Sequence, residues 1–324
     1  MWRRYPLTIG LPHTNYRGLA EVRLLMEAGN FFWMALGEAL GRPVAQLRKA
    51  HGAPVYATIC YLEEIFPAER ALCDFRLDDR LRFWVGLRSG GPLAVEGRIV
   101  FDREDRLSDD GDPERWWAAS VSAHPMVQFG GFFASPGSDG KPWQLATPVN
   151  ARMQNLAPLP VDDNPAQLVR RAQETGRLGL IPDDCVSMDL GASTQVTYIV
   201  DPDRDTNAAG LVYFANYVAF VELGERQALR APSRSGSGCT EADLARRKLM
   251  RRRIAYYGNA NLSDRIVVTV ARHAASDPGT IRLRTHIGRG GGGTPLGLSE
   301  AVLSVGVSQE AAAHQITAAS ERGS

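Results

Sequence analysis

His13-Thr14-Asn15 stands ahead of one long apolar stretch and Asp205-Thr206-Asn207 ahead of another, so each polar run sits where a buried helix would begin. A helix start leaves amide hydrogens unpaired and carries partial positive charge. Donors on His13, Thr14 and Asn15, together with the amides around Gly18, therefore suit an oxygen on which negative charge develops, such as the enolate oxygen of a thioester losing a carboxylate. One such donor is worth roughly 3 kcal/mol of transition-state stabilisation. The same residue types also cap helices, and a plain N-cap role for Thr14 or Asn15 stands beside the chemical one.

The second set is Asp205, Asn207 and Glu222, with Gly210 in the turn between them. A carboxylate here would activate water or orient a substrate. Glu222 lies among Phe220, Val221 and Leu223, so on a central helix it is either paired or raised in pKa. Arg226, four residues on, is the simple pairing partner. Tyr56 and Tyr61 supply phenols on one strand; with a pKa of about 10, a phenol donates a proton more readily than it attacks. Five residues apart on a regular strand they face opposite ways, and Tyr61 is the preferred cleft residue. Either is equally a core tyrosine.

Arg246-Arg247-Lys248-Leu249-Met250-Arg251-Arg252-Arg253 is the one dense positive run. It reads as a rim for phosphates or for an acidic protein, with Arg251 and Arg252 as binding residues, or as a solvated edge. Six histidines and four cysteines show no ligand spacing, so no metal is expected, and the cysteines form no disulfide framework. The net charge of +1 excludes a global basic surface for nucleic acid. With 44% apolar and 23% charged residues the chain reads as an ordinary soluble protein, without a signal peptide or an apolar run long enough to span a membrane; a reducing, cytoplasmic setting is the default.

The elements that must position these residues occur twice. Thr14-Asn15-x-x-Gly18-Leu19 returns as Thr206-Asn207-x-x-Gly210-Leu211, 192 residues on, and the Arg76 to Leu81 turn returns at Ala260 to Ile266 at a spacing of 185. In both halves a motif, a helix, strands and an Asp-Arg turn follow in the same order. Apolar residues from Leu19 to Leu36 recur at helical spacing, with Gly29 and Gly37 for close backbone approach. Val55–Ile65, a hairpin of 81–87 and 93–101, Thr194–Val200, 254–257, 266–273, 280–287 and 301–307 read as strands, and 212–230 as the second helix. Pro136–Gly140, Ser233–Gly238 and Gly290–Gly293 read as turns or loops, and 156–165 as the linker.

The block Asp205 to Tyr217, with Phe220 and Glu222, resembles the entry to the central helix of hot-dog fold thioesterases. In that family a curved antiparallel sheet wraps a long helix and acyl thioesters bind between two units. Over the whole chain, Leu11 to Asn15, Val55 to Thr58 and Asp205 to Tyr217 are similar to the LnmK-type acyltransferase/decarboxylases of polyketide and antibiotic biosynthesis. The first half departs from the thioesterase pattern, with Pro12-His13-Thr14-Asn15 where an acidic loop belongs.

That resemblance implies an α+β double hot dog: two curved antiparallel sheets each wrapping a helix, in units 1–165 and 166–310 with a tail over 311–324. It implies decarboxylation of methylmalonyl-CoA and transfer of the propionyl group to an acyl carrier protein. Coenzyme A is then a substrate carrier with no retained cofactor, phosphopantetheine sits on the partner, and pairing of the whole chain as a homodimer stays open. Asn15, Thr14 and His13 would stabilise the enolate, Tyr61 or Tyr56 take the acyl group or move a proton, Asn207 orient the substrate, and Gly18, Asp205, Gly210, Glu222, Arg251 and Arg252 bind it. The rivals are a hydrolytic thioesterase using Asp205 or Glu222, a noncatalytic acyl or carrier-binding module, and a dehydratase relative, for which no Asp and His pair is found in both halves.

Overall fold

The computed structural model describes residues 2–107, 114–118, 123–136, 143–159, 165–188, 193–207, 210–232, 238–275, 277, 279–290 and 295–305. The expected 311–324 tail, most of the expected loops at 136–140, 233–238 and 290–293, and half of the linker at 156–165 lie outside them.

In the first half, β1 (Trp2–Thr8), α1 (Glu21–Leu40), β2 (Tyr56–Ile65), β3 (Arg80–Ser89), β4 (Ala94–Arg103) and β5 (Met126–Ser135) follow in order. A connecting helix, α2 (Pro165–Thr175), leads to β6 (Thr194–Ile199), α3 (Phe214–Arg230), β7 (Lys248–Tyr256), β8 (Arg265–Ala274), β9 (Thr280–Arg289) and β10 (Pro295–Ser304). These ten strands lie in the order β1-β3-β4-β5-β2-β7-β10-β9-β8-β6, and two short strands bring the sheet to twelve. The order reads alike from either end. Instead of a separate large sheet in each half, one sheet spans both, because the antiparallel pair β2 and β7, with Arg252 opposite Glu64 and Ala255 opposite Tyr61, carries the hydrogen-bond ladder across the middle.

α1 buries Leu24, Leu25, Ala28, Phe31, Phe32, Ala35 and Leu36, the recurrence of an apolar stripe, and stops at Gly41, whose φ of 75° suits a left-handed cap. α3 buries Phe214, Tyr217, Val218, Val221 and Ala228. The two helices contact each other and pack on one side of the sheet, sharing one core. On the other side α2 crosses the seam and packs on β2, β5 and β7.

The two Asp-Arg turns share their hydrogen bonds. Asp79 accepts the Arg76 amide at 2.8 Å and Asp264 accepts the Asn261 amide at 2.8 Å. Each residue before the aspartate has positive φ, Asp78 at 67° and Ser263 at 62°. Each aspartate also pairs with an arginine, Asp79 with Arg103 and Asp264 with Arg289, and its carbonyl accepts the amide just after the outermost strand, Ile9 or Val200, at 2.9 Å.

Candidate active site

A cavity of about 320 Å³ opens at the seam, beside the start of α3. Trp33 of α1, Val44, Ala45, the first residues of β2 from Tyr56 to Ile59, and Trp143 line it from the first half. Asn207, Leu211 to Phe214, Tyr217, Tyr256, Gly258 and Asn259 line it from the second. The start of α3 is held against α1 because Gly29 has no side chain: a Cβ there would lie 2.9 Å from the Phe214 ring and the Tyr213 hydroxyl.

The entry loop is tied down by amides and phenols. Asn259 Oδ1 accepts the Val212 amide and the Tyr217 hydroxyl, each at 3.1 Å, and its Nδ2 donates to the Val212 carbonyl. The Tyr217 oxygen accepts the Ala260 amide at 2.9 Å, and Tyr256 donates to the Phe214 carbonyl at 3.2 Å. Asn207 Oδ1 accepts the Leu211 amide at 3.3 Å. The hydroxyls of Tyr56 and Tyr213 make no hydrogen bond among the described residues and remain as donors for a ligand. Burial raises the pKa of Tyr213, Tyr217 and Tyr256, so these phenols stay neutral. No carboxylate, imidazole, thiol or cation is among the described lining residues.

The structure brings Tyr56 and Asn207 together at this cavity and leaves the other sequence candidates outside it. Tyr61 lies on the far side of the sheet under α2, packed with Cys60 and Leu178, and its hydroxyl donates to Glu63 at 3.1 Å. The register shift between Ile59 and Tyr61 turns two successive side chains, Cys60 and Tyr61, to the same side and reverses the preference between the two tyrosines. His13, Thr14 and Asn15 build the turn before α1. His13 Nδ1 accepts the Gly10 amide, Thr14 donates to the Leu11 carbonyl, and the exposed Asn15 accepts the Arg17 amide at 2.8 Å. Gly18, with φ of 130°, has no room for a side chain, since a Cβ there would lie 2.9 Å from the Leu72 and Phe75 carbonyl oxygens.

Asp205 is buried beneath the loop, accepting the Tyr198 hydroxyl and the Asp201 amide at 2.8 Å each. Gly210 is an exposed turn residue with φ of 71°. Glu222 is held by Arg17 of the other half at 3.1 Å, not by Arg226. Arg252 is 1% exposed and fully engaged by Glu21 and Glu225, and Arg251 pairs with Glu63. The rest of the basic run is also paired: Arg246 with Asp243, Arg247 near Glu222, Lys248 with Asp74 and Arg253 with Glu63. Lys248, Arg251, Arg252 and Arg253 thereby tie the second half to the first, while Arg246 and Arg247 pair within their own half.

Trp33, Trp143, Tyr213, Tyr256 and Asn259 are cavity residues that the sequence reading did not single out. Only Tyr213 carried a signal, being inside the Asp205 to Tyr217 block. At the start of α1 the space is only about 30 Å³ and its lining includes Arg17, Glu21, Glu222, Glu225, Arg247 and Arg252, so the two halves differ in cavity size and polarity. Among the described residues no cluster of potential metal ligands is present, and no helix is long and apolar enough to cross a membrane.

No family model and no curated protein matches the chain. Solved structures do. An acyl-ACP thioesterase from Bacteroides thetaiotaomicron superposes with a TM-score of 0.59 at 9% identity, covering 94% of this chain and 98% of its own. A 12:0-ACP thioesterase from Umbellularia californica gives 0.61 at 8% identity, covering 94% of each. At such identity the likeness establishes the fold alone, a hot-dog fold that this chain shares with those two structures along nearly its whole length.

Proposed function

We propose that this chain is a double hot-dog enzyme acting on an acyl thioester, borne by coenzyme A or by an acyl carrier protein, in the cavity beside α3. The observation that carries this is the cavity itself: largely apolar walls drawn from both halves, with the neutral polar side chains of Tyr56, Tyr213 and Asn207 in its lining beside the start of a central helix.

Thioester hydrolysis is the reaction that the names of the fold neighbours support. The lining favours a second reaction, loss of carbon dioxide from a malonyl-type thioester such as methylmalonyl-CoA. Water attack calls for a base, and the described walls offer none. Decarboxylation needs no base. The electron pair of the breaking C–C bond moves to the thioester oxygen as an enolate, carbon dioxide leaves, and the α-carbon takes up a proton from water. Neutral phenols and the positive end of α3 stabilise that enolate, while walls without a cation do not hold the carboxylate back. The propionyl group then passes to the thiol of a carrier's phosphopantetheine: the new C–S bond forms as the bond to the coenzyme A sulfur breaks, and the carrier thiol's proton ends on the departing coenzyme A thiol.

Mass spectrometry of products from methylmalonyl-CoA and from simple acyl-CoAs, with and without carrier protein, tests both reactions. Free acid marks hydrolysis; propionyl-CoA or propionyl-carrier marks decarboxylation without or with transfer. Unchanged thioesters throughout would reject the enzyme assignment.

A further inference from the structure

Where α2 crosses the seam, a pocket of about 220 Å³ lies on the side of the sheet away from the α3 cavity. Tyr61, Leu168 and Leu178 give it apolar lining, while Arg171 of α2, Arg177 just after α2 and Arg253 of β7 bring three cations to it from three segments. No carboxylate is among its described lining residues. The small space at the start of α1 is different, because its arginines are interleaved with Glu21, Glu222 and Glu225. Arg253 is fixed in place: its Nη1 donates to the Leu178 carbonyl at 2.7 Å and lies 3.5 Å from where a Cβ would stand on Gly179. Arg177 pairs with Asp183, and both side chains are solvated, so that pair holds it weakly. Arg171 is exposed and its side chain makes no ion pair or hydrogen bond among the described residues, whereas its neighbour Arg170 pairs with Glu174. The buried carboxylates bonded to these segments are already engaged, Glu63 by Tyr61, Arg251 and Arg253, and Glu300 by Arg284 and the Leu180 and Ile181 amides.

We infer that this pocket binds a small organic dianion, a phosphate monoester or a dicarboxylate, held by Arg171, Arg177 and Arg253 with its apolar body against Tyr61, Leu168 and Leu178. Guanidinium forks match the oxygens of either anion, and three of them without a lining carboxylate leave a positive charge that such a ligand completes. The volume lies below the range of about 300–1,000 Å³ that holds drug-sized ligands, which sets the small size of the body. A ligand touching α2, the turn after it and β7 ties the connecting helix to the seam and stabilises the folded chain by mass action. The inference stands apart from the thioester reading, since no residue of this pocket lines the α3 cavity.

The test uses the full chain and the double variant Arg171→Ala, Arg177→Ala, with phenyl phosphate and succinate as calorimetric probes and inorganic phosphate as the anion without a body. The expected result is binding of phenyl phosphate or succinate with a rise in Tm, inorganic phosphate binding about tenfold more weakly, and both the affinity and the Tm rise reduced about tenfold or lost in the variant. Whichever organic probe binds identifies the anion as phosphate or carboxylate. Binding of neither by the parent overturns the inference, as does equal binding by the variant, which would place the probe elsewhere on the chain. Inorganic phosphate binding as tightly as the organic probes overturns the ligand class. Both substitutions are at exposed positions, and circular dichroism shows whether the variant is folded. If it is not, Arg171→Ala alone, with no partner to lose, carries the same comparison with a smaller expected loss. Turnover of acyl thioesters is measured separately on the parent chain, so failure here leaves the thioester reading standing.

Discussion

Arg252 and Glu64 face each other across the β2 and β7 pair that joins the halves, yet the guanidinium bonds to Glu21 and Glu225 and stands 3.9 Å from Glu64. Glu64 makes no hydrogen bond to the guanidinium and is fully buried; the neighbour that shares a hydrogen bond with it is the Glu21 carboxyl. Burial, and then the charge of Glu21 beside it, push the Glu64 carboxyl well above the carboxylate range, so in the folded chain it keeps its proton. Glu21 is shifted upward too, chiefly by burial. One cation among three buried carboxylates requires this.

The unfolded chain loses such protons above about pH 4.3. The stabilisation is therefore complete below that value and is lost as pH rises toward the raised folded-state pKa. Tm is expected to fall as pH rises above about 5, and Glu64→Gln, neutral throughout, to flatten that fall. Parallel Tm profiles for the two proteins would show that Glu64 is ionised in the fold.

Removing the cation leaves buried carboxylates uncompensated. Arg252→Met is expected to lower the unfolding free energy by about 3–5 kcal/mol in urea titrations near pH 7. Arg251→Ala is the control: its partner Glu63 keeps Arg253 at 2.9 Å, and Arg251 itself is partly solvated, so the loss stays below about 1 kcal/mol.

These relationships mark where the sequence stops being informative. Helix α1, the β3 and β4 hairpin and the repeated Asp-Arg turns are legible because apolar period and turn chemistry act over a few residues. Strand β1 is not. Arg3, Arg4 and Pro6 break its pattern, yet an outermost strand paired only with β3 tolerates them. The arginines of β7 read as a solvated rim because Glu21 and Glu63, their partners from the other half, are close only after the halves join. The bulge that turns Tyr61 away from the cavity depends on pairing with β5 and leaves no local signature.

The tyrosines separate by layer. Tyr213→Phe and Tyr56→Phe each remove an uncommitted donor from the cavity and are expected to lower kcat about ten- to hundredfold, with little change in Tm. Tyr61→Phe, on the opposite side of the sheet, leaves kcat unchanged in the same assay. Loss of turnover in the Tyr61 variant alone would move the site to the α2 side.

Gly29→Ala tests how the cavity is shaped. Added helix propensity favours the variant by about 1 kcal/mol, but the new methyl group meets the Phe214 ring and Tyr213 hydroxyl at 2.9 Å, an overpacking that costs about 1–3 kcal/mol. A net destabilisation of about 1 kcal/mol is expected by urea titration, with a larger loss of kcat than of stability, since the displaced groups are Tyr213 and Phe214 at the cavity wall. Equal stability with full activity would mean that the close approach of α1 and α3 is not what fixes those two side chains.

Asn207→Asp distinguishes the two reactions. The substitution changes one amide nitrogen to oxygen, keeps the acceptor that the Leu211 amide uses, and places a carboxylate in walls that hold none among the described residues. A negative charge beside the thioester oxygen opposes an enolate, so decarboxylation of methylmalonyl-CoA is expected to slow about a hundredfold or more. The same carboxylate is a base for water, so hydrolysis of simple acyl-CoAs is expected to rise or appear. Measured on one preparation, the ratio of free acid to propionyl product should swing toward acid. A parent chain that already releases acid, and whose rate is lowered by Asn207→Asp, would mean that water is activated by the amide's own geometry and that the cavity is a thioesterase site.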